Sequence, residues 1–149
     1  HQELIAEVAA TGARIRILEE GDFASAVMAA LPGTGIDAAI GIGDLHAMLM
    51  SACAVRCLGG EFQVRLMPRN DEERNLVGDG ASRVYRIEDL APASDIAVAI
   101  TGVTGGPLLP GVAFGSGFAE TSSLVLSSRH ATVRRLTTRH HVVQGASAS

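Results

Sequence analysis

Residues 35–60 read GIDAAIGIGDLHAMLMSACAVRCLGG and contain, in order, an apolar run, a turn with two glycines and a helical stretch. Residues 36–40 are apolar or small except for Asp37 and do not alternate, which predicts a strand covered on both faces. Gly41 and Gly43 permit a sharp turn at a place where a Cβ would clash. The stretch therefore predicts a buried strand whose carboxyl end leads directly into a helix.

The start of this helix is a candidate ligand site. The first amides of a helix lack intrahelical partners and carry a partial positive charge, so they attract anions such as phosphate. Asp44 stands at that position. Asp is a preferred N-cap residue, but its negative charge repels a phosphate. We therefore expect Asp44 to cap the helix and to oppose phosphate binding at the same point.

The residues before this stretch predict a further helix, strand and helix. Residues 2–11 place apolar side chains along one stripe and predict an amphipathic helix, whereas residues 14–18 (RIRIL) alternate as a strand does. Residues 23–31 predict a second helix, which Pro32 and Gly33 end. The crossover rules then make the two strands parallel neighbours with right-handed connections.

Both predicted strands are followed by residues that suit ligand binding. Glu20, Gly21 and Asp22 follow the first strand, and the turn at residues 41–44 follows the second. The carboxyl ends of parallel strands lie at one edge of a sheet, where open α/β proteins bind their ligands. We therefore expect these two turns to lie close together.

Later residues predict further strands and a hairpin. Residues 61–67, 82–87 and 95–101 have strand patterns. Two β-like runs, 121–127 and 132–139, are joined by four residues, which predicts an antiparallel hairpin. The fold class expected is α/β, with a mixed sheet flanked by helices and parallel-type αβ units followed by this C-terminal hairpin.

The outer part of the hairpin is rich in arginine. Arg134, Arg135 and Arg139 are expected to face solvent on an edge strand. We predict that residues 1–143 form one α/β domain and that residues 144–149 form a disordered tail.

Two other features have both a structural and a functional interpretation. The loop at residues 101–107 is rich in glycine and hydroxyl groups, and it predicts either an anion nest of backbone amides or a plain turn. Cys53 and Cys57 lie four residues apart, on one face of the central helix, and no His or Cys neighbours stand at zinc spacing. We interpret them as thiols of the core.

Composition excludes several classes of function. The net charge of −4 gives no general attraction to nucleic acid, and the absence of Lys excludes Schiff-base and P-loop lysine chemistry within this chain. No apolar run approaches the roughly 20 residues that span a bilayer, so we expect no membrane segment and a cytoplasmic location. The chain begins at His1 inside a helical pattern and without an initiator Met, and we expect an upstream part.

These motifs together resemble the C-terminal half of the class II fructose-1,6-bisphosphatases, metal-dependent sugar phosphatases that are similar in fold to inositol phosphatases. Order and spacing agree over nearly the whole chain. The matching stretches are HQELIAEVAATGARIRIL at 1–18, EGD at 20–22, GIDAAIGIG at 35–43, ACAVRCLGGEFQVRLMPRNDEER at 52–74, ITGVTGGPLLPGV at 100–112 and ETSSLVLSSRHATVRRL at 120–136.

The resemblance implies a hydrolase of gluconeogenesis that converts fructose 1,6-bisphosphate to fructose 6-phosphate and phosphate. In the family, carboxylates hold magnesium or manganese, and the metals activate the water that displaces the 1-phosphate. Most of those carboxylates belong to the N-terminal half of the family's chain. The resemblance also implies a sugar phosphate substrate, fructose or sedoheptulose bisphosphate, and a homo-oligomer in the full-length parent. The substrate-binding residues that it implies here are Glu20, Gly21, Asp22, Gly43 and Asp44.

The chain departs from the family pattern at the glycine turn. The family reads Gly-Ile-Gly-Gly-Ala-Pro-Glu-Gly where this chain reads GIGDLHAM at residues 41–48. Asp44 replaces the Gly that approaches the substrate, and Ala47 replaces the Glu that completes metal binding. A methyl group cannot bind a hard cation, which needs oxygen ligands. His46 is a weak candidate for a manganese ligand, and its alternative role is that of a helix-start residue at the rim.

Three hypotheses follow for the function. In the first, the chain is part of a sugar bisphosphatase and is inactive alone, because it lacks the metal-binding half and one metal carboxylate. In the second, the domain keeps the fold but binds sugar phosphates or serves in assembly without catalysis. In the third, Gly41 and Gly43 belong to a dinucleotide fingerprint, but His46 stands where its third glycine belongs, so the match is poor.

Overall fold

The structure is a computed structural model that describes residues 2–18 and 22–141. Helices predominate in its first half and strands in its last third. The helices are α1 (Gln2–Ala10), α2 (Asp22–Ala30), α3 (Leu45–Cys57), α4 (Asp71–Val77), α5 (Ile87–Leu90) and a 3-10 helix (Gly78–Ser82). The strands are β1 (Gln63–Arg65), β2 (Val84–Arg86), β3 (Ala97–Thr101), β4 (Ala113–Gly115), β5 (Phe118–Ser127) and β6 (Thr132–His141).

β5 is the central strand of the larger sheet. It pairs antiparallel with β6 along its whole length, from Phe118 opposite His141 to Ser127 opposite Thr132. Its other edge pairs antiparallel with both β3 and β4. The C-terminal hairpin predicted from sequence is therefore confirmed, together with the α/β fold class.

The main core lies between this sheet and the helices α2 and α3. Leu124 and Leu126 of β5 are completely buried, and they share the core with Ala54 and Cys57 of α3 and with Val27 of α2. These side chains are small or branched, as expected of a chain with few aromatic residues. Burial of a Leu side chain stabilises a fold by about 1.5–3 kcal/mol, so these two leucines hold the sheet against the helices.

A second, smaller sheet is formed by β1 and β2, which pair antiparallel with Val64 opposite Tyr85. The alternation predicted for residues 61–67 is confirmed, because Phe62, Val64 and Leu66 are half-buried and their neighbours are exposed. The charged segment that follows forms α4, whose N-cap is Asn70.

The solvent-facing arginines of the hairpin are also confirmed, since Arg134, Arg135 and Arg139 are exposed on β6. Arg139 forms an ion pair with Glu120 at 3.2 Å, and its guanidinium lies 4.4 Å from the ring centre of Phe118. Both contacts cross directly from β6 to β5, so they help to fix the register of the hairpin.

Two strands predicted from sequence are wrong. Residues 14–18 and 36–40 have irregular backbone, and all strand pairs among the described residues are antiparallel, so the expected parallel neighbours do not form there. Ile17 and Ile40 are each 67% exposed, although the apolar pattern predicts burial. A strand needs a hydrogen-bonded neighbour as well as a suitable sequence, and the described part of the chain supplies none to either segment.

The glycine-rich loop at residues 101–107 lies directly against residues 109–112. Gly102 N–H donates to the carbonyl of Ser122, Gly106 N–H to that of Leu109, and Val112 N–H to that of Val103. A Cβ on Gly102 would overlap the carbonyl oxygen of Pro110. The glycine at position 102 is thus required by close backbone packing, which supports the plain-turn interpretation of this loop.

No helix among the described residues is both long enough and apolar enough to cross a membrane. The predicted tail at residues 144–149 lies outside the described residues.

We predict that Gly102→Ala destabilises the protein by about 3 kcal/mol, because the new methyl group forces the loop away from Pro110. Gly106→Ala is the matched control in the same loop, since a Cβ there has no atom within 4 Å. The control should change the free energy of unfolding by less than about 0.5 kcal/mol. Urea denaturation of the two variants measures the difference, and equal stabilities would contradict the packing described for this loop.

Candidate functional site

The start of α3 has the geometry expected of a capped helix. Asp44 has extended backbone angles (φ −77°, ψ 164°), and its Oδ1 accepts a hydrogen bond from Ala47 N–H at 3.0 Å. The first regular helical bond follows, from Met48 N–H to the carbonyl of Asp44 at 3.1 Å. The cap predicted from sequence is therefore confirmed.

The cap also keeps Asp44 ionised. The Ala47 N–H that binds the carboxylate lowers the pKa of Asp44 below its ordinary value, and the amide and ring of His46 act in the same direction. A full negative charge consequently occupies the place where the amides of α3 would meet an anion. An incoming phosphate would have to displace this carboxylate from Ala47 N–H and would be repelled by it.

His46 stands next to the cap but is not held in place by it. Its Nδ1 lies 3.8 Å from Asp44 Oδ1, and the two side chains are 96% and 74% exposed. Such an exposed pair is screened by solvent and contributes little to stability. The structure therefore places His46 at the open rim of the turn, in agreement with its interpretation as a helix-start residue.

Ala47 also takes part in a hydrogen bond within α3. Its carbonyl accepts a hydrogen bond at 2.7 Å from the hydroxyl of Ser51, which is completely buried. The sequence analysis did not single out Ser51, although a Ser in a helix can bond to the carbonyl four residues earlier. This bond and the Asp44 cap fix the first turn of α3 from both sides of Ala47.

The residues at this turn do not fit a magnesium or manganese ion. Such ions need several oxygen ligands, whereas Ala47 offers a methyl group and one carboxylate oxygen of Asp44 already binds an amide. Across residues 2–18 and 22–141, no three His, Cys, Asp or Glu side chains converge on one point. We assign no metal chemistry to the start of α3.

The second predicted turn is only partly described. Glu20 and Gly21 lie outside the described residues, and Asp22 opens α2 without a described side chain. Because residues 14–18 and 36–40 do not form strands, the described residues show no shared sheet edge that would bring this turn to Gly43 and Asp44. The spatial association of the two turns stays a prediction.

The connection between α2 and α3 contains a hydroxyl group that the sequence analysis missed. Thr34 Oγ1 donates to the carbonyls of Met28 at 2.6 Å and Leu31 at 3.1 Å, and so closes the end of α2. A shallow cleft of about 520 Å³ lies beside it, lined by residues 29–37. Asp37 is the one charged residue in that lining, and it is exposed. A Thr just after the Pro-Gly that ends a helix was the sequence signal for this closure.

Both cysteines are free thiols on α3. Cys57 is buried in the main core, donates its S–H to the carbonyl of Ile96 at 3.4 Å, and has its pKa raised by burial. Cys53 is half-buried. The assignment to the core is confirmed for Cys57, whose raised pKa leaves it protonated and unreactive at neutral pH.

Comparison with known proteins shows which family this architecture matches. The model of the family described as "Bacterial fructose-1,6-bisphosphatase, glpX-encoded" matches residues 1–140. That range includes the capped turn, the whole of α3 and nearly all of the hairpin.

Curated relatives match over almost the same range. A protein of Gloeobacter violaceus is 35% identical, and proteins of two Synechococcus strains are each 37% identical, over alignments that cover 94% of this chain. All three are named D-fructose 1,6-bisphosphatase class 2/sedoheptulose 1,7-bisphosphatase. The alignments cover 45% of each relative, so this chain spans less than half of their length.

We predict that Asp44→Ala lowers the melting temperature at about pH 7 and that this difference disappears in acid. The pKa of Asp44 is lowered in the folded state, so its stabilisation is fully present above its ordinary pKa of 3.8 and is lost as the pH falls through the lower pKa of the folded state. Asp44→Asn keeps an oxygen acceptor without the charge, so its melting temperature should lie between those of the native protein and Asp44→Ala. Circular-dichroism melts from about pH 7 to about pH 3 test this. Identical melts of the native protein and Asp44→Ala at neutral pH would show that the cap does not stabilise α3.

Proposed function

We propose that this chain, which belongs to the class II fructose-1,6-bisphosphatase family, forms part of a sugar bisphosphatase. In the proposed reaction a water attacks the phosphorus of the 1-phosphate and the phosphorus–oxygen bond to the sugar breaks, which releases phosphate and fructose 6-phosphate. The match over residues 1–140 supports the reaction class. The names of the relatives support both fructose and sedoheptulose bisphosphate as substrates.

One observation carries the proposal for this chain's own role, namely the bond between Asp44 Oδ1 and Ala47 N–H. It places a carboxylate at the one helix start where the family pattern has glycine and a metal-binding Glu. The start of α3 is therefore closed to phosphate, and Ala47 supplies no oxygen for a metal. We infer that this chain contributes sugar contacts and is inactive alone.

The sugar contacts that we propose come from two turns. Asp22, with Glu20 and Gly21, accepts hydrogen bonds from sugar hydroxyls, for which an ionised carboxylate has several lone pairs. Gly43 and Asp44 border the same substrate from the start of α3. Magnesium or manganese, implied by the family, would be held by carboxylates of the parent protein outside the described residues.

A second candidate is a domain that binds sugar phosphates, or serves in assembly, without hydrolysing them. The loss of the metal carboxylate at Ala47, together with an exposed acidic residue at the cap, favours it. The carboxylate of Asp44 can still accept hydrogen bonds from sugar hydroxyl groups. It cannot replace the metal ligand that is missing at position 47 while it binds an amide.

The cellular setting is also proposed. Two free thiols in one helix suit a reducing compartment, which supports a cytoplasmic protein of carbohydrate metabolism acting in gluconeogenesis. A homo-oligomer of the full-length parent stays a prediction.

The hydrolase proposal predicts that the cap limits turnover. A chimera in which this chain replaces the matching part of the Gloeobacter relative should release phosphate slowly from fructose 1,6-bisphosphate with manganese. Asp44→Gly, His46→Pro and Ala47→Glu together should raise the rate by about 100-fold, the effect of one well-placed electrostatic contact. Loss of the cap should cost little stability, because Gly is an acceptable N-cap residue.

Leu76→Glu is the control for this measurement, since it adds a carboxylate at an exposed position of α4. It should leave the rate of the chimera unchanged. Full activity of the unchanged chimera would show that Ala47 does not disable the site. No gain from the triple variant would show that catalysis has been lost more widely.

The binding candidate makes a separate prediction for the 149-residue chain. Calorimetric titration with fructose 6-phosphate should give heat at millimolar ligand, and Asp22→Asn should remove it because the amide is a weaker acceptor. Asp79→Asn, on the 3-10 helix, is the control that should bind as before. Absence of heat from the folded native chain would exclude binding by this chain alone.

A further inference from the structure

Two segments of the chain have strand-like sequences but no strand partner. These are residues 14–18 and residues 36–40, and we call them, together with the glycine turn at 41–43, the unpaired segments. Between described residues, no hydrogen bond involves the backbone of 14–18 or 38–43. Exposed rows of free N–H and C=O groups are the feature by which a sheet edge accepts an additional strand.

The side chains of the unpaired segments are also uncovered. Ile17 and Ile40 are 67% exposed and Ile42 is 60% exposed. The flanking elements continue this exposure, because α1 has no buried residue and Leu45, the first residue of α3, is 58% exposed. Single exposed apolar residues are ordinary on a protein surface, but apolar side chains that follow one another along two unpaired segments indicate an interaction surface.

A second copy of the chain is a poor partner for these segments. Antiparallel self-pairing of residues 14–18 would place Arg16 of one copy directly opposite Arg16 of the other. Like charges directly opposite each other destabilise a strand pair. The alternation of Arg and Ile instead suits a strand that offers apolar residues on one face and acidic or neutral residues on the other.

The length of the relatives points to a different occupant. Both unpaired segments lie within the residues that the family matches, yet more than half of each relative's length has no counterpart in this chain. We propose that the unpaired segments are the docking surface for that unmatched part of the family's polypeptide, which adds at least one strand beside them. The inference rests on the family membership that underlies the proposed function, but it does not require catalysis.

Hydrogen–deuterium exchange tests this inference on the 149-residue chain and on the chimera with the Gloeobacter relative. Amides of residues 14–18 and 36–43 should exchange fast in the chain alone and at least about tenfold more slowly in the chimera. Amides of β5 should be protected in both proteins and provide the internal reference for folding. Neither readout needs turnover, so failure of the proposed hydrolase activity would leave this result unchanged.

Substitutions in the chimera test whether the unpaired segments are the surface that binds the unmatched part. Ile17→Asp with Ile40→Asp should restore fast exchange in the unpaired segments while β5 stays protected. Phe114→Asp is the control, because Phe114 is 82% exposed on β4 and lies outside these segments. It should keep their protection.

Three outcomes would overturn the inference. The first is a folded chimera whose unpaired segments exchange as fast as in the chain alone. The second is protection that arises in the chain alone with rising concentration, which would assign the surface to self-association. The third is a chimera in which the amides of β5 exchange fast. If the unmatched part of the relative fits the unpaired segments, the chimera should fold and β5 should stay protected.

Discussion

The described structure depends on the contact between β5 and α3. Leu124 and Leu126 of the central strand meet Ala54 and Cys57 of the helix in the main core. Without this contact the apolar side chains of β5 would lose the helix that covers them, while α3 would still pack against α2. The first turn of α3 is supported within the helix itself, since the completely buried Ser51 donates a hydrogen bond to the carbonyl of Ala47.

The hairpin and the cap were predictable because the interactions that form them are local. Four residues join the hairpin strands, and Asp44 reaches an amide three residues ahead. The two missing strands were not predictable in the same way. Residues 14–18 and 36–40 have the composition of strands, but a strand also needs a hydrogen-bonded neighbour, which is often far away in sequence. Their exposure in the described structure shows the limit of reasoning from pattern alone.

In the candidate site, too, the features formed by local interactions were predictable from the sequence, and those formed by distant residues were not. The residue type at position 44 predicted a capped helix start, and the geometry at Asp44 confirms the cap. The bond from Ser51 to the carbonyl of Ala47 is local as well, and what the sequence could not supply was the complete burial of Ser51. The association of Asp22 with Gly43 depends on non-local pairing as well, so residue types alone could not establish it.

The substitutions at the start of α3 are coupled through a single amide. In the pattern that the resemblance implies, a Gly at position 44 has no side chain to bind the N–H of residue 47, and a Glu at position 47 carries the negative charge. Here the charge lies three residues earlier, and its oxygen binds that same N–H. The number of carboxylates in this turn is the same in both patterns, but the one present here binds an amide at the start of the helix. Adding a Glu at position 47 alone would therefore place two carboxylates at one helix start, where their repulsion would favour protonation of one of them. A functional metal ligand at position 47 thus requires that position 44 be vacated at the same time, so the two positions act as one unit.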